Sequence, residues 1–366
     1  MGRIVTRAAR RGQAGGVPIE RARGAVTARA PGRVTLIGDH TDYNGGLSLP
    51  MAIDLETRAT FTPRPGSFLI GLRSDQFAQP WEIHLGDTAP SPPEALLAAG
   101  LIRLAHPTAG GAVTVTSTLP VGAGLSSSAA FSVALLLALG QAADPLALAT
   151  MCRDAEALAG AHVGLLDPLA ICAAQEGHAL RIDFTTLETR PVPLPEAATF
   201  VVVHSGAARQ LGHSPYAARR AECERAANQL GRPLGWCALG DLSGLADPVL
   251  RRRARHVITE CARVEQVVAQ LERGVRADLA AVGALMTEGH RSLAEDYRVS
   301  IPAVDELVDQ LLARPGVLGA RLTGGGFGGC VVALCQPDSP ALRPATHAPR
   351  RAWRVSPAAG AAQLGR

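Results

Sequence analysis

No lysine occurs anywhere in the 366 residues; all 36 basic residues are arginine. That absence removes several chemistries at once. A Walker-A loop needs its lysine on the phosphates, a protein kinase needs one on its third strand, and Schiff-base catalysis needs one as the nucleophile. A phosphate site in this chain must work through backbone amides, hydroxyls, arginine and metal. The seven cysteines (152, 172, 223, 237, 261, 330 and 335) include no C-x-x-C pair. Their scatter argues against a zinc site and for free thiols in a reducing, cytoplasmic setting. No apolar run reaches about 18 residues without charge or breakers, so no membrane-spanning helix is expected.

Charge of one sign is concentrated at one end. Residues 1–30 carry seven arginines against one glutamate, whereas residues 31–366 hold 29 arginines against 31 acids. The body is near neutral despite the overall charge of +4, which gives no case for a nucleic-acid partner. Residues 1–23 have no apolar h-region, so they do not read as a secretory signal; a disordered basic tail is the expectation. The length suits two domains with substantial cores. The proline-rich stretch 191–195, PVPLP, is the candidate boundary, giving units 24–195 and 196–366.

The most informative stretch is residues 119–130, LPVGAGLSSSAA. Before it, residues 112–117 alternate and are β-branched, as a strand should be; after it, residues 131–140 form an apolar run that reads as a buried helix. A glycine- and serine-rich turn feeding a helix N-terminus can cradle an anion, with a hydroxyl for magnesium. The same residues also fit a glycine turn in which Ser126 is an ordinary N-cap.

Further polar candidates fall at turns and helix starts. Residues 34–37 read as a strand running into GDHTDYNGG (38–46), where Asn44-Gly45 signals a turn, and residues 47–53 resume a strand. Asp39, His40 and Asp42 cluster there, preceded by Arg33; a self-bonded polar turn and a His-x-Asp metal site are both open readings. Asp144-Pro145 looks like the start of a helix reaching residue 158, with Glu156 on it. Asp167-Pro168 looks like another cap and first-turn pair. Residues 176–183 and 199–204 read as strands, and 213–224, 251–271 and 279–292 as helices.

Three motifs in order carry a family resemblance. GRVTLIGDHTDYNGG (32–46) resembles the galactokinase signature of the GHMP kinases, residues 119–130 resemble that superfamily's ATP-phosphate motif, and RLTGGGFGGC (321–330) resembles its third motif. The likeness spans about residues 24–336. It implies an α+β, two-domain GHMP kinase fold, with a mixed α/β N-terminal domain holding the phosphate loop and a ferredoxin-like C-terminal domain. In the third motif the glycines lie between strands, whereas a dinucleotide fingerprint would run into a helix.

The resemblance also assigns roles. Asp167, eleven residues after Glu156, falls where the family has its catalytic aspartate, with Arg33 between it and the reacting centre. Asp39, His40, Asp42, Gly164 and Tyr216 would bind the sugar. Gly122, Gly124, Leu125, Ser126, Ser127, Ser128 and Ala129 would bind the ATP phosphates, and Ser128 with Glu156 would hold Mg2+. The implied reaction is ATP-dependent phosphorylation of galactose at its anomeric hydroxyl, by a monomer acting on small molecules. A kinase for N-acetylgalactosamine or a similar sugar, and an inactive galactose and ATP sensor, are the alternatives. The family usually has glutamate where Asp39 stands, glutamine where Pro168 stands, and a Trp-x-x-Tyr stretch near the adenine pocket that is missing here. The segment 290–297, HRSLAEDY, is again family-like and reads as architecture.

Overall fold

The computed structural model describes residues 24–86, 95–160, 164–207, 215–342 and 351–364. The expected basic tail and His213 lie outside them.

A long antiparallel hairpin, β1 (Val26–Ile37) and β2 (Leu47–Pro63), organises the first half. Both strands are rich in Val, Leu, Ile and Thr, and β1 is buried along most of its length because other elements cover both its faces. Next come β3 (Leu69–Ser74), β4 (Trp81–His84), α1 (Leu96–Ala105), β5 (Gly111–Ser117), α2 (Ser127–Ala138), α3 (Pro145–Leu158), α4 (Leu166–Ala173), β6 (His178–Asp183) and β7 (Glu188–Pro193). α2 packs against β1 and β2 on one side and against α1, α3 and α4 on others, which explains why apolar residues surround it. Asp144 caps α3, accepting from the Ala147 amide at 2.7 Å.

The second half holds β8 (Thr199–His204), α5 (Pro215–Leu230), α6 (Pro248–Leu271), α7 (Leu279–Ser292), α8 (Pro302–Leu312), β9 (Val317–Leu322), β10 (Cys330–Cys335), β11 (Ala352–Val355) and β12 (Ala362–Leu364). The first sheet runs β12-β1-β2-β5-β3-β4, with β6 and β7 added at the turn end of β2. The second is antiparallel, in the order β11-β8-β10-β9. Sheet membership changes between β7 and β8, beside residue 195, and β12 returns to the first sheet by pairing with β1.

Two helical residue sets make α6 the joint of the molecule. Leu250, Ala254, Val257 and Ile258 belong to the core on one face of the second sheet, whereas Val264, Val267, Val268 and Leu271 belong to the larger core that joins the first sheet to the other face of the second. The side chains between them therefore face the boundary where the site lies.

Two local expectations are corrected. Residues 191–193 are not connection but part of strand β7, whose Pro191 and Pro193 oppose Leu180 and His178. Among the described residues β7 pairs only with β6, and an edge strand tolerates proline because its outer N–H groups have no partner to lose. Asp167 is also not a helix cap: α4 begins at Leu166, leaving Asp167 in its first turn.

Candidate active site

The loop 118–126 leaves β5 and enters α2 with Gly122 and Gly124 in left-handed conformations, at φ +72° and +79°. Gly124 is approached from the third motif: a Cβ on Gly324 would stand 3.0 Å from the Gly124 carbonyl oxygen. Only a bare backbone on the motif side lets the two loops meet so closely. Ser126 is also left-handed (φ +61°), a strained setting for serine, and makes no capping bond to α2. Its Oγ instead donates to Asp167 Oδ2 at 2.6 Å. The capping reading of Ser126 is thus replaced by a tie between loop and carboxylate.

Arg33 fixes the other side of Asp167. Its Nε donates to Asp167 Oδ1 at 2.8 Å, and a terminal nitrogen lies 2.6 Å from the same oxygen. The other terminal nitrogen donates to the Gly124 carbonyl at 2.7 Å. Arg33 is buried and held by three contacts to two partners, while the Asp167 side chain stays partly open to the cavity. Ser128 Oγ donates to Glu156 Oε1 at 3.0 Å. Burial pushes the Glu156 carboxyl up to about 7, with the nearby Asp167 charge adding to it and the Ser128 bond opposing it.

These groups line a cavity of about 950 Å³. Arg33, Asp39, His40, Asp42, Gly164, Asp167 and Tyr216 share it with Gly122, Gly124, Ser126, Ser127, Ser128, Ala129 and Glu156. Leu125 is absent from the lining: its side chain is buried in the core and its carbonyl accepts from the Arg33 amide. Gly164 lies against Asp42, since a Cβ there would stand 1.7 Å from Asp42 Oδ2. Burial, reinforced by the Asp167 charge, raises the Asp42 carboxyl to about 6. Burial does the same to Asp39, against the opposing charges of Arg321 and Arg33.

Several residues behind the cavity wall gave no signal of their role in the sequence. Asp39 Oδ2 accepts from Arg321 at 2.9 Å, and Oδ1 accepts from the Gly324 amide at 3.0 Å. Arg321, fully buried, also pairs with Glu260 at 2.8 Å. Glu260 in turn accepts from the Gly38 amide and from Arg263, and these cations hold its carboxyl well below the usual range. Both charged partners of Asp39 and Gly38 thus come from β9 and α6. Elsewhere in the cavity Phe77 stacks on Trp81 with centroids 4.0 Å apart, and Phe131 stands edge-on to Phe77.

A lysine-free phosphate loop, a paired arginine and aspartate beside it, and glycines of a third loop against it define a GHMP-type small-molecule kinase. The family descriptions agree: "GHMP kinases N terminal domain" matches residues 95–175 and "GHMP kinases C terminal" matches 250–345. Within that class the chain belongs to the galactokinase family. The galactokinase galactose-binding signature matches residues 20–63. Over 327 residues the chain is 41% identical to a galactokinase of Homo sapiens and 42% to one of Canis lupus familiaris, covering 84% of this chain and 83% of each relative. It is 43% identical to a Mycobacterium bovis galactokinase over 331 residues, 86% of this chain and 90% of that one. The structure of Lactococcus lactis galactokinase complexed with galactose superimposes with a TM-score of 0.84 at 26% identity, covering 93% and 96% of the two chains. Methanococcus jannaschii mevalonate kinase, at 17% identity and a TM-score of 0.68 over 92% and 100%, shares the fold.

Proposed function

We propose that this chain transfers the γ-phosphoryl group of ATP to the anomeric hydroxyl of α-D-galactose. The observation that carries the reading is Asp167, bonded by Ser126 of the phosphate loop and by Arg33, in one cavity with Asp39, His40 and Asp42. Phosphoryl transfer needs positioning and charge neutralisation more than covalent help. Asp167 receives the sugar hydroxyl and its proton, while Arg33 fixes the carboxylate and places positive charge beside the reacting centre. Asp42 accepts sugar hydroxyls, and Gly164 leaves room for it. The amides and hydroxyls of residues 122–129 take the phosphates, and the Phe77–Trp81 corner offers a stacking face for the base.

Magnesium suits the donor set. Among the described residues no three His, Cys, Asp or Glu side chains could together hold a metal. Ser128 and Glu156 supply two hard oxygens, as expected for Mg2+ that takes its other ligands from phosphates and water. When bound, the ion would neutralise phosphate charge. All seven cysteines are free thiols, which supports a reducing, cytoplasmic location, and no described helix is long and apolar enough to cross a membrane. The enzyme is read as a monomer acting on two small molecules.

The test is an ADP-release assay over galactose, N-acetylgalactosamine, glucose and a pentose, with the product identified by mass and 31P spectra. Galactose should be the best substrate and give a 1-phosphate. Turnover of another sugar tenfold faster would overturn the substrate, and binding of galactose and ATP without ADP release would make the chain a sensor.

A further inference from the structure

Behind the sugar-facing wall runs a hydrogen-bond chain that the proposed reaction does not use directly. His40 has a positive φ of +65°, and its ring lies among Tyr43, Tyr216 and Tyr297, with centroids 6.1, 5.6 and 4.7 Å away. His40 Nδ1 is 2.8 Å from the Tyr43 hydroxyl, which is 2.7 Å from the Tyr297 hydroxyl, which is 3.0 Å from Cys223 Sγ. Four side chains from three segments of the chain are thus joined end to end. Tyr297 and Cys223, at the far end, are fully buried.

The backbone carrying Tyr297 is itself unusual. α7 runs on into a π-helical turn, Leu293–Tyr297, closed by Arg298 at φ +61°. Such turns lose regular helical bonding and recur at functional sites. Here the turn delivers the Tyr297 hydroxyl to a point between Tyr43 and Cys223.

A chain of this kind has a direction. Each tyrosine hydroxyl has one proton to give, so if Tyr43 donates to His40 it must accept from Tyr297, which must in turn accept from Cys223; if Tyr43 accepts from His40, its own proton is left to give to Tyr297. Nδ1 is therefore donor or acceptor for the chain as a whole, and the opposite role falls to Nε2 of the neutral ring. With Nδ1 as acceptor all three bonds have one sense, and reversing that role turns the His40–Tyr43 bond round and releases the other two from it.

We propose that Tyr297, anchored by Cys223, is a positioning residue of the sugar site: acting through Tyr43, it holds His40 in one ring orientation and one tautomer, so that His40 meets a sugar hydroxyl in a fixed donor or acceptor role. The proposal rests on the sugar-kinase reading for its kinetic consequence alone; the tautomer is a property of the free protein.

The experiment uses the full chain and Tyr297→Phe, which keeps the ring and removes the hydroxyl. The sugar KM should rise about five- to tenfold, as for one lost hydrogen bond, with the ATP KM unchanged and kcat within about twofold. In a His40→Ala background the same substitution should cost nothing further. In sugar-free protein labelled with 15N-histidine, the two His40 nitrogens should give the well-separated shifts of a single tautomer, and Tyr297→Phe should draw them together. Should the phenylalanine variant fail to fold, Cys223→Ala carries the same measurements, with Cys223→Ser restoring wild-type values. An unmoved nitrogen pair in the folded variant, or a loss that adds in full to that of His40→Ala, would overturn the proposal. Absence of sugar turnover by wild type, with the tautomer signature intact, would instead count against the substrate reading.

Discussion

Ser126 and Asp167 are joined by a 2.6 Å hydrogen bond across 41 residues of chain, and the bond uses the Asp167 oxygen that Arg33 leaves open. The serine gives up the capping role its position suggests and adopts a left-handed conformation. Asp167→Asn should fold normally and lose about 10²–10⁴ in kcat, the usual cost of removing a proton acceptor. Ser126→Gly removes the hydroxyl and relieves about 1 kcal/mol of left-handed strain, so activity should fall while the melting temperature holds or rises. A full turnover rate in either variant, measured by ADP release, would take that residue out of the mechanism.

Glu156 and Ser128 predict a metal dependence. Chelation with EDTA should abolish turnover, and added Mg2+ should restore it. Glu156→Gln keeps the shape and removes a charged ligand, so the Mg2+ concentration for half-maximal rate should rise at least about tenfold, by analogy with the effect of altering groups around a bound metal. An unchanged Mg2+ titration would move the metal elsewhere.

Asp42 trades stability for binding. Its carboxyl is raised from 3.8 to about 6, chiefly by burial and next by Asp167. A raised carboxyl favours the protonated fold, so its stabilising effect is complete below about pH 4 and is lost as pH rises through about 6. Asp42→Asn should therefore gain on wild type between pH 4 and 7, by about 1–3 kcal/mol, in urea unfolding at each pH, while galactose turnover collapses. In wild type, kcat/KM for the sugar should fall below about pH 6 as Asp39 and Asp42 take up protons and lose acceptor capacity. A flat kcat/KM between pH 5 and 7 would exclude these carboxylates as acceptors.

Arg321 is the sharpest stability test. Arg321→Met would leave Asp39 and Glu260 buried with their shared cation gone. Removing one partner from a buried charge set costs about 3–5 kcal/mol. The loss should shrink at pH 5, where Asp39 is largely protonated. Equal losses at pH 5 and pH 8 would mean that Asp39 contributes none of it.

What was legible in the sequence was local. The bounds 145–158, 199–204 and 279–292 are read from caps and periodicity and match α3, β8 and α7, because the signals lie within a few residues of the ends they mark. The glycine-serine loop was legible for the same reason. At Asp167 the Asp-Pro pair looks like a cap, which the fold corrects; its pairing with Arg33, 134 residues away, was legible through the family resemblance and not through any local signal. Arg321 is 282 residues from Asp39, and nothing near either one announces a buried ion pair. Tyr297 was legible as a motif but not as a function, since a π turn that no periodicity encodes carries its hydroxyl to partners, Tyr43 and Cys223, far away in the chain. The prolines of β7 suggested a connector because sequence does not say which strand is an edge.

The return of β12 to the first sheet has a mechanical meaning. The backbone passes between the sheets twice, once from β7 to β8 and again from β11 to β12, and the second passage is laced down by bonds from the Ala358, Gly360 and Ala361 amides to Ala52, Ala174 and Ile171. The stitches cross a seam that is already closed by packing, because Phe200, Val202, Val332 and Leu334 of the second sheet share one apolar cluster with Val34, Leu36 and Ile53 of the first. The cleft is therefore set in a frame that resists opening, and distance labels placed on either side of the seam should barely change on ligand binding.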